Sequence, residues 1–481
     1  MYGFDGVLLR DYSIYLYSGQ RMAEGVPPYV SVFDHKGPLA PMISGLGVML
    51  SKLLNWDDIY TVRLVFFTAG CLAVVVVYLL GKSVFKSQTV GFLAALTFLG
   101  FYPYGYSAAS GPEPKTPMVL FEALCLLFAV KKRWFWAGLC GSLAFLIWQP
   151  MAVFAILVFL LSVTRPKEER YGAALRAVAG ISTPLLATVA YFYYYGALGN
   201  LLEGVVYFNA QYLTRGEYTT TPLIFRVPSN PSLIWGPVSN VVFPYSMMLV
   251  PIIVGLFAIF RLYFIRPFEY RLTPILISLP APFLWALLDF QLSDDFFVYL
   301  PYVAIGFGAF VFSVIRRVKN PRLIGTFFGM LLLGVAIAST FHELNALAAN
   351  SLLGTDIDLR QQREGALEIE NRFGEDVKLA SINSPQVLVF LHRENPNPYP
   401  FITAGIDQEI EAKWPGGFEG WLRGLEESSD VITFLGDGQT LSPTAEATSK
   451  HRQQLTDWLD SRYHVEKVGP WWLYVKDLPD K

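Results

Sequence analysis

Charge and histidine are scarce in this chain, and cysteine is nearly absent. Only 16% of its 481 residues are Asp, Glu, Lys or Arg, against about a quarter in an ordinary soluble domain. The three cysteines, Cys71, Cys125 and Cys140, sit singly inside apolar runs and make neither a disulfide framework nor a metal site. The five histidines, at 35, 342, 392, 451 and 464, are scattered without ligand spacing. No Gly-x-x-x-x-Gly-Lys-Ser/Thr loop occurs, which argues against an ATP-driven transporter. What is plentiful is apolar surface: 53% of residues are hydrophobic, 15% are aromatic, and mean hydropathy is +0.40. That balance excludes a disordered chain, a disulfide scaffold and an ordinary cytosolic enzyme. It predicts a membrane protein with a soluble part.

A spanning helix needs about 20 mostly apolar residues. Apolar runs near 60–81, 88–106, 117–130, 134–149, 151–163, 173–195, 246–262, 272–290, 300–316 and 321–340 predict about ten spans, over a transmembrane region 60–340. The stretch 134–163 is split at Trp148-Gln149-Pro150, because Pro removes a helical donor and Gln is costly in lipid. One long kinked helix is the competing reading, and it would invert every later span.

Charge decides the orientation. Residues 1–340 carry 24 Lys/Arg and 16 Asp/Glu, whereas 341–481 carry 13 and 23. With ten spans, 16 of the 24 basic residues fall on one side, from Lys82 and Lys86 through Lys131-Lys132-Arg133 to Arg316-Arg317. That side is cytoplasmic by the positive-inside rule. Residues 1–59 and the acidic segment 341–481 are then extracytoplasmic. No spanning helix precedes 1–59, so either the start lies downstream of one or the chain inserts N-out unaided.

In 1–59, Tyr12, Tyr15, Ser18 and Met22 recur at helical spacing, which predicts a short amphipathic helix at the membrane interface. Asp11 opens it, and on residue type alone reads as its N-cap. Lys36 reads as an interfacial lysine with its head in water. Glu113 and Lys115 lie in a Pro-rich turn, Gly111 to Pro117. Glu122 falls inside a span, where an acid is costly and usually paired or facing a cavity. Arg63, near the outer end of its own span, is a candidate partner. Of Asp289, Asp294 and Asp295, at least two are expected to be solvated.

The run D-x-x-x-Y from Asp11, G-x-P-P-Y from Gly25 and H-K-G-P-L from His35, followed by many spans, resembles the GT-C glycosyltransferases, which use polyprenyl-phosphate sugars. Protein O-mannosyltransferases and aminoarabinose transferases share this layout. Asp294 to Pro301 resembles the loop before a late span in that family. The stretches R-E-N-P from Arg393 and P-G-G-F-E-G-W-L from Pro415 look most like the archaeal dolichyl-phosphate-mannose mannosyltransferases.

The resemblance implies a GT-C fold, helical and multi-spanning, with an extracytoplasmic catalytic loop in 1–59. It implies inverting transfer of a sugar, mannose in the archaeal enzymes, from a polyprenyl or dolichyl phosphate. The acceptor would be a lipid-linked glycan, a lipid or a glycoprotein. The lipid phosphate leaves as an anion, so the demanding step is deprotonating the acceptor. Asp11 takes the position of that general base. Lys36, with His35 as a second donor, takes the position beside the donor phosphate. Glu113 matches a second acidic residue facing the site, and Lys115, Glu122 and Arg63 stand behind it or toward the acceptor. No cofactor or metal is required on this reading, although outer acids could hold a divalent cation. No nucleic-acid partner is implied.

Segment 341–481 reads as a linker, 341–357, and a small α/β domain. Strands are expected at 377–382, 400–404, 430–435 and 471–476, and helices at 358–373, 384–392, 406–427 and 444–462. A flippase or transporter of lipid-linked oligosaccharide is the rival from another class, but no inverted repeat is visible. A surface-polysaccharide polymerase or ligase, using the long outer loop 196–245, is the third reading.

Overall fold

Helices occupy all the apolar runs in the computed structural model, which describes residues 3–212, 246–265, 269–288, 293–318, 320–349, 358–402, 405–434 and 448–476. Among these, α1 is Arg10–Ala23, α2 Leu39–Leu54, α3 Asp58–Phe85, α4 Gln88–Leu99, α5 Tyr102–Ser110, α6 Lys115–Val130, α7 Trp134–Ile147, α8 Ala152–Val163 and α9 Lys167–Tyr194. After Leu198–Leu202 (α10) and a π-helical turn come α11 Leu249–Ile265, α12 Thr273–Ser278, α13 Pro280–Leu288, α14 Leu300–Ile315 and α15 Pro321–Ala349. Among the described residues, five stretches are long and apolar enough to cross a membrane: Asp58–Phe85, Lys167–Tyr194, Ser246–Ile265, Asp294–Ile315 and Pro321–Ala338. The protein is a mostly helical membrane protein, with shorter helices in the remaining apolar runs.

Small residues set the helix crossings. A Cβ on Gly180 would lie 2.0 Å from the Phe135 carbonyl oxygen, and one on Gly138 would lie 2.5 Å from that of Ala177, so α7 and α9 touch backbone to backbone. Gly255 and Gly306 do the same for α11 and α14. Close contact at small residues is how helices associate where lipid removes the hydrophobic drive.

The break at Pro150 is a reversal. A 3₁₀ turn, Gln149–Met151, joins α7 to α8, and a Cβ on Gly141 would meet the Ala155 backbone at 3.0 Å. The two helices pack against each other, so the long kinked helix is excluded. The run 88–106 is also broken, at Gly100, where the chain leaves α4 and starts α5 two residues on. The run 272–290 is divided into α12 and α13.

Helix α1 is not a surface helix. Every residue from Tyr12 to Gln20 is buried, because the C-terminal domain covers the face that the sequence pattern left polar. The Asn395 N–H donates to the Tyr17 hydroxyl (2.9 Å), and Gln20 Nε2 donates to the Val389 carbonyl (3.1 Å) and to Asp58 Oδ2 (2.7 Å). Gln362 accepts from the Leu8 N–H (2.7 Å) and Arg363 pairs with Asp57 (2.6 Å). The domain therefore sits on the end of the bundle where α1 lies and α3 begins.

In the domain, α16 (Leu359–Phe373) starts from a capping box of Asp358 and Gln361. Strands β1 (Leu379–Ser381), β2 (Val431–Phe434), β3 (Tyr463–Val468) and β4 (Trp471–Lys476) form one sheet in the order β1-β2-β4-β3. Only β1 and β2 are parallel. Helices Pro385–Leu391 (α17), Ile406–Lys413 (α18), Gly417–Ser428 (α19) and Ser449–Asp460 (α20) pack around it over buried Trp421 and Trp471.

Four expectations need correction. Residues 400–402 form no strand: they lie in a connection in which the Pro400 carbonyl accepts from the Asn383 N–H (2.9 Å) and Ser381 Oγ (3.0 Å). The expected helix 406–427 is broken at Pro415, with Gly416 and Gly417 both at positive φ. The strand that completes the sheet is 463–468, which was not expected. The expected linker is helical as far as Ala349, and 350–357 lies outside the described residues. So do 213–245 of the long outer loop, and Asp289.

Candidate active site

The Asp34-His35-Lys36-Gly37 turn is built before it is charged. Asp34 Oδ1 accepts from the N–H groups of His35 (2.7 Å) and Lys36 (3.2 Å), a side-chain turn that Asp favours. Gln149 and Asn209 both donate to the His35 carbonyl at 2.8 Å. Tyr29 donates to the Lys36 carbonyl at 2.6 Å. Gly37 is pressed on the end of α7, where a Cβ would stand 2.1 Å from the Leu146 carbonyl oxygen. The Trp148-Gln149-Pro150 reversal thus holds the turn from behind.

This scaffold aims Lys36 at Asp11. Lys36 Nζ is 3.6 Å from Asp11 Oδ2, and Arg10 Nε is 3.3 Å from Asp11 Oδ1. The two side chains of the Asp11–Lys36 pair are 45% and 40% exposed, so a ligand can reach it. Lys36 also lies 5.6 Å from the ring centre of buried Tyr15. The Lys36 and Arg10 charges hold the Asp11 carboxyl below its ordinary range. Burial opposes the charge on Lys36, but Tyr15, Asp11 and Asp34 outweigh it and keep the ammonium well above the usual lysine range. Asp11 is not the N-cap. Leu9 holds that position, and Asp11 is the second helical residue, in the turn where the helix dipole favours an anion.

His35 is adjacent but turned aside. Its ring centre lies 5.5 Å from that of Phe208, tilted by 32°, and Nδ1 is 3.8 Å from Asp34 Oδ1.

Beside this pair the α5–α6 turn brings a second group. A Cβ on Gly111 would sit 2.1 Å from the Tyr12 ring, so the turn passes directly beneath α1. Glu113 is buried, and Lys115 reaches Asp295 at 2.5 Å with its ammonium 5.4 Å from the Trp148 ring centre. Burial, reinforced by Asp294, pushes the Glu113 carboxyl up to about 8. Lys36 is close enough to act against that rise. Lys115 is held above its usual range by Asp295, Glu113 and Asp294, against the effect of burial. Asp295 is buried and paired, so it is not a solvated loop acid.

Glu122 and Arg63 do not meet. Arg63 donates to the carbonyls of Phe4 and, at 2.9 Å, Gly6, and so ties down the segment before α1. Glu122 is fully buried in α6, and among the described residues neither carboxylate oxygen has a partner at hydrogen-bond geometry. Its expected pairing with Arg63 is overturned because the backbone carbonyls of residues 4 and 6 take the guanidinium. Among the described residues, no three His, Cys, Asp or Glu side chains are placed to hold a metal ion.

Asp34, Tyr15, Asn209 and Asp295 belong to this site and were not singled out as such from sequence. The Asp placed two residues before Lys36 carries the usual signal of a side-chain turn and was the legible one.

The helical bundle capped by a small sheet domain, with α1 between them, is the GT-C fold. A sequence profile described as dolichyl-phosphate-mannose-protein mannosyltransferase matches residues 35–198. Two crystal structures of ArnT from Cupriavidus metallidurans are similar over nearly the whole chain. The apo form matches with a TM-score of 0.62 at 12% identity, covering 98% of this chain and 94% of that one. The form bound to undecaprenyl phosphate matches with a TM-score of 0.59, at the same identity and coverage. No curated protein sequence matches.

Proposed function

We propose that the protein is an inverting glycosyltransferase that moves a sugar from a polyprenyl or dolichyl phosphate to an acceptor on the extracytoplasmic face. The observation that carries this is the exposed pair of Asp11 and Lys36 at 3.6 Å, on the end of the bundle where the acidic domain docks. The mannosyltransferase profile, which begins at His35 and so takes in Lys36, supports mannose as the sugar. The ArnT crystal form bound to undecaprenyl phosphate supports a lipid-phosphate donor. The acceptor is a lipid-linked glycan or a glycoprotein.

The chemistry follows from the two charges. An acceptor hydroxyl attacks C1 of the sugar, the C1–O bond to the phosphate breaks, and the lipid phosphate leaves as an anion. The acceptor's proton passes to Asp11. In the empty site Lys36 pairs with Asp11 and keeps it a weak base. A donor phosphate competes for that ammonium, and Asp11 becomes more basic as its partner turns away. Glu113, largely neutral below pH 8, can donate a hydrogen bond to the sugar or acceptor beside the phosphate. The leaving group needs no cofactor.

The test is incubation of the purified chain with labelled dolichyl-phosphate mannose and a lipid-linked glycan, beside other polyprenyl-phosphate sugars. Label in the glycan product supports the reading. Transfer only from a different sugar donor removes mannose and keeps the class. Movement of lipid-linked glycan across a vesicle, with no donor consumed, replaces the transferase by the flippase.

A further inference from the structure

The opposite end of the bundle carries a pocket for which the transfer reaction has no use. Helices α3 and α6 both start at the active-site end and run away from it. Over the 16 residues of α6 the rise is about 24 Å. At their far ends Lys82, Lys86, Lys131, Lys132 and Arg133 converge with Arg271, from the turn that starts α12, around a polar pocket of about 580 Å³.

Two observations separate this from a row of helix-end lysines serving the dipole. None of the six forms an ion pair among the described residues. Tyr270 organises the cations from a third segment: Lys132 Nζ is 4.8 Å from its ring centre, and Arg271 Nε donates to its hydroxyl at 2.9 Å. The Tyr270 hydroxyl is held below its ordinary range by Arg271, and further by Lys132 and Lys86, so the three charges act at one point. Lys86 and Lys132 both take left-handed backbone, at φ 53° and 57°, the conformation in which an α-helix commonly ends.

We propose that this pocket binds the two-phosphate headgroup of an anionic lipid in the leaflet opposite the active site. Six positive charges with no ion-pair partner among the described residues exceed what one phosphate balances. The pocket lies at the ends of spanning helices, and α11 ends in exposed Phe264 and Ile265 shortly before Tyr270, so acyl chains and headgroup have adjoining surfaces. Basic pockets between spanning helices on the cytoplasmic side suit such headgroups.

The test uses the full chain in phosphatidylcholine nanodiscs doped with labelled cardiolipin. The Lys86→Asn/Lys132→Asn variant removes two charges and keeps left-handed backbone, which Asn tolerates. Its cardiolipin affinity should fall roughly ten- to thirtyfold. A Lys167→Asn/Arg170→Asn control removes two charges from the same end outside the pocket and should change little. If the first pair does not fold, Lys131→Gln/Arg271→Gln replaces it with the same expectation. Equal losses in pocket and control variants would reduce the pocket to diffuse attraction and overturn the proposal. Displacement of cardiolipin by inorganic pyrophosphate at comparable concentration would assign the site to soluble phosphates instead, and overturn the lipid.

Discussion

Lys36 Nζ stands 3.6 Å from Asp11 Oδ2 although the two residues are on different elements, one on a turn braced by Gln149 and Asn209, the other in the first turn of α1. An ion pair this open to solvent contributes at most about 1 kcal/mol to stability. Its survival in the fold is better explained by what each partner does to a ligand. Asp11→Asn should therefore lower the transfer rate ~10²–10⁴-fold, the usual cost of losing a general base, while the melting temperature barely moves. Initial rates and a thermal melt on the same preparation check both halves. Wild-type turnover by the Asn variant would remove Asp11 from catalysis.

Lys36 should govern the donor and not the acceptor. A hydrogen bond to a charged partner is worth roughly 1.5–3 kcal/mol, so Lys36→Ala should weaken donor dependence about ten- to a hundredfold. Acceptor dependence should stay put. Lys36→Arg should keep part of the activity, because the charge survives in a different geometry. Initial rate against donor concentration at saturating acceptor separates these outcomes. An unchanged donor curve for the Ala variant would pass the phosphate to Lys115 or His35.

Glu113 gives a pH signature with a definite sign. Its folded pKa of about 8 lies above the ordinary glutamate value of 4.5. Between those values the unfolded chain has lost the proton that the folded chain keeps, so stability falls as pH rises. The fall starts near 4.5 and levels off above about 8. Glu113→Gln should flatten it, leaving the variant more stable than wild type at pH 8 and nearer to it at pH 5. Melting temperatures across that range decide. Parallel curves would mean that the Glu113 proton is not held.

Much of this was legible before the structure, and the misses have physical causes. Apolar runs found the helices because lipid tolerates few polar residues, and Pro150 marked a real reversal. Asp11 and Lys36 stood in a quotable pattern, but their contact joins elements 25 residues apart and needs the braces from Gln149 and Asn209. The burial of α1 was invisible because its polar face is covered by a domain more than 340 residues later. Arg63 and Glu122 are a natural pair by charge, yet the nearer carbonyls of Phe4 and Gly6 take the arginine. Strand 463–468 is not legible because its middle residues, His464 to Lys467, are mostly exposed and include Glu466 and Lys467; the Gly469-Pro470 turn after it is the cue.

The domain and the active site should face the same side of the membrane. Gln20, Tyr17 and Leu8 bond directly to the C-terminal domain, and the site lies on the same helix, so topology cannot divide them. With basic residues gathered at the other end, that side is expected to be extracytoplasmic. A reporter that works only in the cytoplasm, fused after Lys481, should be silent, and one that works only outside should be active. The reverse pattern would invert the bundle and place transfer on the cytoplasmic face.

Gly37 tests whether the turn is a rigid support or an adaptable loop. It needs no special backbone angle; what it needs is space, since a Cβ would stand 2.1 Å from the Leu146 carbonyl oxygen and 2.6 Å from its carbon. Neither is a flexible side-chain end, so Gly37→Ala must push the turn off the end of α7. Overpacking of this kind costs typically 1–3 kcal/mol. The displaced turn would carry Lys36 with it, and a misplacement of about 1 Å near the chemistry can cost 10²-fold in rate. Activity should therefore fall far more than the modest loss of melting temperature suggests, with donor dependence weakened as in Lys36→Ala. Combining Gly37→Ala with Lys36→Ala should add little further loss, because both act through one ammonium. Fully additive losses would show that Gly37 supports the fold alone.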